Sequence, residues 1–478
     1  MNLKNKKVVV LGLGKSGSAS AVLLSKQGAS VFASDWANTR HLRAVAKRLS
    51  RFNIKTELGK HRVHLIADAD LIVVSPGIDI SKCLPILKKD KHKPAVISEV
   101  ELSFHFCPAP IVAVTGSNGK TTTTTLIGRI FKTCGRDVFV CGNIGNPLSE
   151  HVLKLKKDKL VVMEVSSFQL ERIMKFRPKV GIILNVSSNH LDRHKNFNSY
   201  LAAKSRIFLN QKKTDYLILN FDDPITKTLA ATAKANVLFI SLKPMDKPGA
   251  FIKDEWICVR LRRKLSYICK ITALPLQQEH NRENILAAVL VGKIFNLNNC
   301  GIKKAILNFR GLPHRCEFVR RINAVSFVND AKSTSTDATN KALASIDKST
   351  ILISGGRDKG SDFKDIIPLA RQKVKMIIAI GEAKNKIKNL LEHHLPIRLA
   401  NTLFTAVKIA YQNAQAGDCV LFSPMCSSFD MFKNFEHRGD VFKKIVRNLA
   451  KTSNDKCQIS NDPPQRLADR QMNQLIKK

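Results

Sequence analysis

Along the chain, short unbroken apolar runs alternate with longer stretches in which apolar positions recur every third or fourth residue. A strand buried on both faces reads as a continuous apolar run, whereas a helix lying on a sheet keeps one polar side, so the alternation predicts parallel sheets covered by helices. Runs at 7–11, 30–34 and 71–74 predict the strands of a first segment, with a helix over 18–27 closing at Gly28. Runs at 111–115, 160–164, 180–185 and 216–219 predict a second, and runs near 325–329, 350–354, 376–380 and 419–423 a third. The expected architecture is α/β with three domains, 1–106, 107–310 and 311–478. From about 452 the sequence turns polar and contains proline, and is expected to fray.

Two of these runs break into glycine-rich turns. After 111–115 comes Gly116-Ser117-Asn118-Gly119-Lys120-Thr121-Thr122. Glycines let backbone N–H groups converge on an anion, Lys120 adds a fixed positive charge, and the Thr121 hydroxyl can ligate magnesium at a helix N-terminus. A nucleoside triphosphate and phosphoryl transfer are expected here, although the loop is shorter than the common G-x-x-x-x-G-K-[ST] form: Val114 stands where that form has its first glycine. The second turn follows 7–11 and carries Gly12, Gly14 and Gly17, with Asp35 at the next strand end. That is the dinucleotide fingerprint in sequence and in context. It requires only a diphosphate against a helix N-terminus and a ribose or base near an acid, so a nicotinamide or flavin enzyme and a nucleotide-sugar binder both remain open.

Composition narrows the classes. The chain has 478 residues, 44% of them apolar, which suffices for several cores. Its longest early apolar stretch, 8–13, stops at Lys15 and is too short for a signal or a span, so a cytoplasmic protein without membrane insertion is expected. The 11 cysteines are scattered without a C-x-x-C pair, which argues for small core residues over a disulfide framework or a zinc site. A formal charge of +41 would usually point to nucleic acid. The basic residues, however, are spread along the whole length in short runs such as 154–159 and 260–264, without interleaved aromatics. No nucleic-acid partner is therefore expected; a lysine-rich proteome and anionic substrates account for the charge.

The middle segment holds more than a simple triphosphatase requires. Glu164 ends one apolar run, and Asn185 and His190 follow another, which places metal-capable side chains at the carboxyl ends of strands. A helix N-cap partner is the plainer alternative for Glu164. His190 and His194 have the spacing of a zinc helix but lack the glutamate after the first histidine. Lys204 falls in a helical pattern and would ordinarily be a solvated charge.

Taken in order over about 7–447, these residues resemble the Mur ligase family. The resemblance rests on 116–121, Gly142-Asn143-Ile144-Gly145, Glu164, Asn185 with His190, Lys204 after two alanines, and His280-Asn281 with Asn284. It continues in 311–317 and in Asn329-Asp330 with Lys332 and Thr334. It implies a Rossmann-like amino-terminal domain binding a UDP-linked substrate through Gly14, Lys15, Ser16, Asp35, Ser75, Pro76 and Gly77, which favours the nucleotide sugar over a dinucleotide. It further implies a central P-loop ATPase-like domain and a Rossmann-like carboxyl-terminal domain for the incoming amino acid. ATP would be held by Gly116, Ser117, Asn118, Gly119, Lys120, Thr121, Thr122, Asn284, Arg315, Asp330 and Lys332. Magnesium would be served by Thr121, Glu164 and His190, and by Lys204 carbamylated with carbon dioxide; Lys120, His190 and Lys204 would be catalytic. Asn143, Ser166 and Gln169 would face the alanyl end of the substrate.

The stretches 166–171 and 421–439 are similar to the branch that takes D-glutamate. They imply UDP-N-acetylmuramoyl-L-alanine and D-glutamate as substrates, the latter held by Thr334, Lys359, Ser428 and Phe435, in a monomeric enzyme. A surface turn is the alternative for the loop carrying Lys359. Other Mur ligases and folylpolyglutamate synthases share the ATP loop, but the latter would not carry the first domain.

Overall fold

The computed structural model describes all residues except 62–65, 79–93, 188–195, 359 and 450–478, so the tail expected to fray lies outside the described residues. Two compact units divide the chain, Met1–Arg310 and Gly311–Lys478.

The first unit contains two sheets. Strands β1 (Lys7–Leu11), β2 (Ser30–Asp35), β3 (Lys55–Leu58), β4 (Leu71–Val74) and β5 (Ala95–Ser98) form an all-parallel sheet ordered β3-β2-β1-β4-β5. Leu11 pairs with both Ser34 and Val74, so the turns after β1, β2 and β4 open along one rim. The strand order reverses between β1 and β4, the switch point at which open α/β sheets gather ligands.

The second sheet is built from β6 (Ile111–Thr115), β7 (Val138–Gly142), β8 (Leu160–Glu164), β9 (Val180–Ile183), β10 (Tyr216–Asn220), β11 (Asn236–Ser241), β12 (Gly249–Lys253), β13 (Trp256–Leu261) and β14 (Lys264–Lys270). Their order is β14-β13-β12-β11-β10-β9-β6-β8-β7. It is parallel from β7 to β12, and β12 to β14 add an antiparallel edge. One continuous apolar core, including Val8, Leu24, Val161, Phe176 and Tyr200, runs beneath both sheets. Glu101, buried after β5, ties them further by accepting the N–H groups of Met174, Lys175 and Phe176 at 2.8–2.9 Å. A carboxylate with several charge-assisted bonds is a firm anchor.

The second unit carries β15 (Glu317–Ile322), β16 (Val325–Asn329), β17 (Thr350–Gly355), β18 (Val374–Ile380), β19 (Ile397–Leu399) and β20 (Cys419–Phe422), ordered β15-β16-β20-β17-β18-β19. All neighbours are parallel except the β15–β16 hairpin. Helices cover both faces, giving two apolar clusters, one with Phe327, Phe422 and Phe442, the other with Leu352, Phe363 and Ile377.

Candidate active site

Strands β8, β6 and β9 lie side by side, with Val114 opposite both Glu164 and Ile182, so the segments leaving β6, β8 and β9 converge. The loop after β6 turns into the helix Lys120–Thr133 at Gly119, whose φ of +80° suits a residue without a β-carbon. A β-carbon there would also overlap Asn284 Oδ1. That asparagine, buried on the helix Glu279–Ile294, accepts the Thr123 hydroxyl at 3.1 Å and so locks the base of the loop. Asn185, after β9, holds the tip, accepting the Asn118 N–H at 2.8 Å.

Four charged or polar side chains meet at this loop. Lys120 Nζ donates to the carbonyls of Gly116 and Ser117 at 2.9 and 3.0 Å. The Thr121 hydroxyl donates to Glu164 Oε2 at 2.8 Å, and Asn143 Nδ2 donates to Glu164 Oε1 at the same distance. Glu164 thus engages the phosphate loop directly and is not spent on capping a helix.

Lys204 comes from the helix Phe197–Ser205 and is 1% exposed, contrary to the solvated charge that its helical position suggested. Its Nζ donates to the Gly116 carbonyl at 2.8 Å and lies 4.5 Å from the centre of the Tyr200 ring. Burial, and secondarily the positive charge of Lys120, push its pKa down to about 7. That shift favours the neutral amine near physiological pH.

Tyr200, which belongs to none of the sequence motifs above, is part of this cluster. Its hydroxyl lies 3.2 Å from Ser117 Oγ, and its ring underlies Lys204 one turn away; the i, i+4 pairing with a lysine was the available signal. Ser166 caps the short helix Ser167–Leu170, and Gln169 Oε1 accepts from both the Ser166 N–H and its hydroxyl. Ser166 and Gln169 are one capping box, beginning two residues beyond Glu164. His190 lies outside the described residues.

At the first sheet, Gly14 is the N-cap of the helix Lys15–Lys26, which starts earlier than the apolar periodicity suggested because its first turn is polar. Asp35 ends β2 and spends its carboxylate on backbone: Oδ2 accepts the Leu13 N–H at 2.7 Å and Oδ1 the Ala37 N–H at 2.9 Å. The Ser75 hydroxyl donates to the Gly12 carbonyl at 2.9 Å, and a β-carbon on Gly17 would overlap that same oxygen. Lys15 and Gly14 are exposed at this rim, Ser16 is half-buried, and Pro76 and Gly77 follow β4 on the same side.

In the second unit, Asp330 is buried rather than presented to solvent, with Oδ2 accepting the Ser423 hydroxyl at 2.9 Å and Oδ1 the Cys316 N–H at 3.1 Å. Burial raises its pKa. Arg315 is exposed, and Thr334 half-buried. Lys332 Nζ lies 5.4 Å from the centre of the Phe435 ring, which brings together two residues expected at different ligands. Lys359 lies outside the described residues. Arg357, two positions before it, exchanges backbone bonds of 3.0 Å in both directions with Ser427, next to buried Ser428. Of the nine described cysteines, all free, five are buried, as small core residues should be.

Residues 6–97 match the family description of the MurD-like N-terminal Mur ligase domain, 114–292 that of the Mur ligase middle domain, and 314–426 that of the Mur ligase glutamate ligase domain. The chain belongs to the Mur ligase family. Its curated relatives include the UDP-N-acetylmuramoylalanine--D-glutamate ligases of Thermoanaerobacter sp. (strain X514) and Geotalea daltonii. These are 42% and 43% identical over 453 residues, covering 94% of this chain and 100% and 99% of theirs. Among solved structures, the fold is similar to that of UDP-N-acetylmuramate-alanine ligase MurC from Thermotoga maritima, at a TM-score of 0.54 and 16% identity over 93% of this chain and 100% of that one. A pseudomurein peptide ligase type C from Methanothermus fervidus has the same TM-score at 21% identity, again with 93% and 100% covered.

Proposed function

We propose that this chain joins D-glutamate to the alanyl carboxylate of UDP-N-acetylmuramoyl-L-alanine while ATP is converted to ADP and phosphate, a step of peptidoglycan precursor synthesis. The observation that carries this reading is the near-complete alignment, at 42% identity, with a ligase of that printed name.

The chemistry follows from what an amide bond requires. A carboxylate is a poor electrophile, so its oxygen first attacks the γ-phosphorus of ATP; the bond to the β-bridging oxygen breaks, and ADP leaves behind an acyl phosphate. The amine of D-glutamate then attacks the acyl carbon, loses a proton, and phosphate departs from the tetrahedral intermediate. Transfer between two anions needs preorganised positive charge. Lys120 supplies it by exchanging the two carbonyls it now holds for phosphoryl oxygens, while the first N–H groups of the helix Lys120–Thr133 meet the phosphates at its N-terminus.

The adjacent Thr121 hydroxyl and Glu164 carboxylate are hard oxygen donors of the kind magnesium takes, with His190 the candidate for a second ion. Bound there, magnesium would neutralise charge on the transferring group. Lys204, as its amine adds to carbon dioxide and loses a proton, becomes a carbamate that supplies one further anionic ligand. Asn143, Ser166 and Gln169 orient the alanyl end, and the turns at Gly14, Lys15, Ser16, Asp35, Ser75, Pro76 and Gly77 hold the UDP. In the second unit, Arg315, Asp330 and Lys332 are contacts for ATP, and Thr334, Lys359, Ser428 and Phe435 for D-glutamate.

The reading takes the chain to act as a monomer. No helix among the described residues is long and apolar enough to cross a membrane. Soluble substrates fit work in the cytoplasm without nucleic acid. Phosphate release with ATP and UDP-N-acetylmuramoyl-L-alanine, across a panel of D- and L-amino acids, tests the reading: release should depend on D-glutamate. Release with L-alanine or a diamino acid in its place would move the chain to a sister activity.

A further inference from the structure

Four of the described cysteines are not buried, Cys107, Cys134, Cys300 and Cys316, and two of these come from different helices to one place. Cys134 caps the carboxyl end of the helix Lys120–Thr133, and Cys300 is the second residue of the helix Asn299–Leu307. What lets them approach is Gly301. A β-carbon on it would lie 2.4 Å from Cys134 Sγ and 3.5 Å from Cys134 Cβ, so the Cys134 thiol packs on the backbone of the residue next to Cys300. Burial pushes the half-buried Cys134 thiol up, and the neighbouring Cys300 thiol adds to the shift. Two other cysteine pairs differ. Cys107 neighbours Cys141 and Cys316 neighbours Cys419, but there the second thiol is sealed in a core, at 0% and 1% exposure. Cys300 is exposed, so a reagent in solution can reach this pair.

The frame around the pair is firm. Asn298 caps the second helix by accepting the Gly301 N–H at 2.7 Å, and Phe131 and Phe295 pack edge to face at 5.4 Å. Ile130 and Ile302 close on Gly292, 3.1–3.4 Å from where its β-carbon would stand. The thiols themselves sit at helix ends, which fray and so allow the small adjustment a disulfide needs. We propose that Cys134 and Cys300 are a redox pair, which a low-molecular-weight disulfide converts reversibly into a bridge between the two helices. Cys300, the exposed thiol, loses its proton and attacks one sulfur of that disulfide; the S–S bond breaks, and one small thiolate leaves and takes up a proton. Cys134 then loses its proton and attacks the Cys300 sulfur, and the second small thiol leaves. Two cysteine thiols are oxidised, and one disulfide is reduced to two thiols. In a reducing compartment such a bridge is a transient response to oxidant and not part of the resting fold. It ties the end of the phosphate-loop helix that is about 20 Å from Lys120, and it closes a loop containing β7 to β14. Restricting so long a segment of the unfolded chain stabilises the folded unit.

Oxidised glutathione is the probe, applied to the full-length folded protein. After alkylation of the remaining thiols, proteolysis and mass spectrometry should recover the Cys134 and Cys300 peptides joined, with the five buried cysteines unoxidised, and dithiothreitol should restore both thiols. Cys134→Ser should stop at the mixed disulfide and carry glutathione on Cys300, because the second thiol is missing. The bridged parent should unfold about 5 °C above the reduced protein, in the range of a cross-link that closes a long loop, and Cys134→Ser should show no such shift. A parent that accumulates glutathione on Cys300 while Cys134 stays free would show that the two sulfurs do not meet and would overturn the proposal. So would a bridge that joins two chains.

Discussion

Replacing Lys204 tests the chemistry most sharply, because its burial makes opposite predictions for a cation and for a carbamate. At pH 7.5 an ordinary lysine is neutral in about one molecule in a thousand, whereas an amine titrating near 7 is neutral in about three-quarters. A pKa near 7 would thus raise the share of neutral amine, which carbamate formation needs, by nearly three orders of magnitude. Lys204→Ala should lower kcat by about a hundredfold or more, in the range seen when one preorganised electrostatic group is lost, and small carboxylates such as formate should restore part of it. Lys204→Arg should stay inactive, since a guanidinium keeps the charge and cannot form the anion. Exhaustive removal of carbon dioxide should slow the parent enzyme reversibly, and added bicarbonate should restore it, with recovery improving as pH rises through about 7. A second readout follows by linkage: between about 7 and 10.5 the unfolded chain holds the proton that the folded Lys204 has lost, so this group's contribution to stability rises with pH. In carbon-dioxide-free buffer, Lys204→Met should therefore be more stable than the parent at pH 6, with the gap closing above pH 10. An active Lys204→Arg enzyme, or a parent indifferent to carbon dioxide, would refute the argument.

Three further outcomes follow. Lys120→Ala should reduce the rate by about two orders of magnitude or more while thermal unfolding stays near that of the parent, as expected for a group whose role is charge stabilisation; near-normal turnover would remove it from the mechanism. Gly17→Ala, whose new β-carbon would overlap the Gly12 carbonyl, should weaken binding of the UDP substrate with little effect on ATP, and calorimetry on the parent should find negligible affinity for NAD. Lys359→Ala should raise KM for D-glutamate by roughly ten- to a hundredfold, the loss of one charge-assisted hydrogen bond, and leave KM for ATP and the UDP substrate nearly unchanged; a mutant that instead lost ATP affinity would relocate the acceptor site.

Much of this architecture was legible because buried parallel strands are continuous apolar runs: 7–11, 71–74, 111–115, 160–164 and 325–329 are strands at those bounds. The antiparallel edge β12–β14 was not, and its turns show why. Asp254-Glu255 and Arg262-Arg263 take positive φ at both positions, where the usual signal is asparagine or glycine, so the two hairpins carry no turn chemistry to read. The helix after the phosphate loop was expected from the glycine–lysine pattern, yet its run of five threonines has poor helix propensity. Packing decides it, through buried Thr123 and Thr124 and the Thr123–Asn284 bond. The cluster of Lys120, Thr121 and Glu164 was readable because Glu164 ends one recognisable strand and the glycine loop carrying Lys120 and Thr121 follows another. The burial of Lys204 was not, since a lysine on a helix with two alanines before it looks solvated; its environment comes from Tyr200 and Gly116, the latter 88 positions away. Asp330 is the converse case: a charge in a conspicuous motif turns inward to hold Ser423 and the Cys316 backbone.

The most direct test of the central claim follows oxygen. UDP-N-acetylmuramoyl-L-alanine labelled with oxygen-18 in its alanyl carboxylate should, with ATP and D-glutamate, yield phosphate carrying one labelled oxygen for each amide formed, because that oxygen leaves with phosphorus from the acyl phosphate. Unlabelled phosphate accompanying amide formation would mean that the carboxylate is not activated by phosphoryl transfer, and would contradict the mechanism.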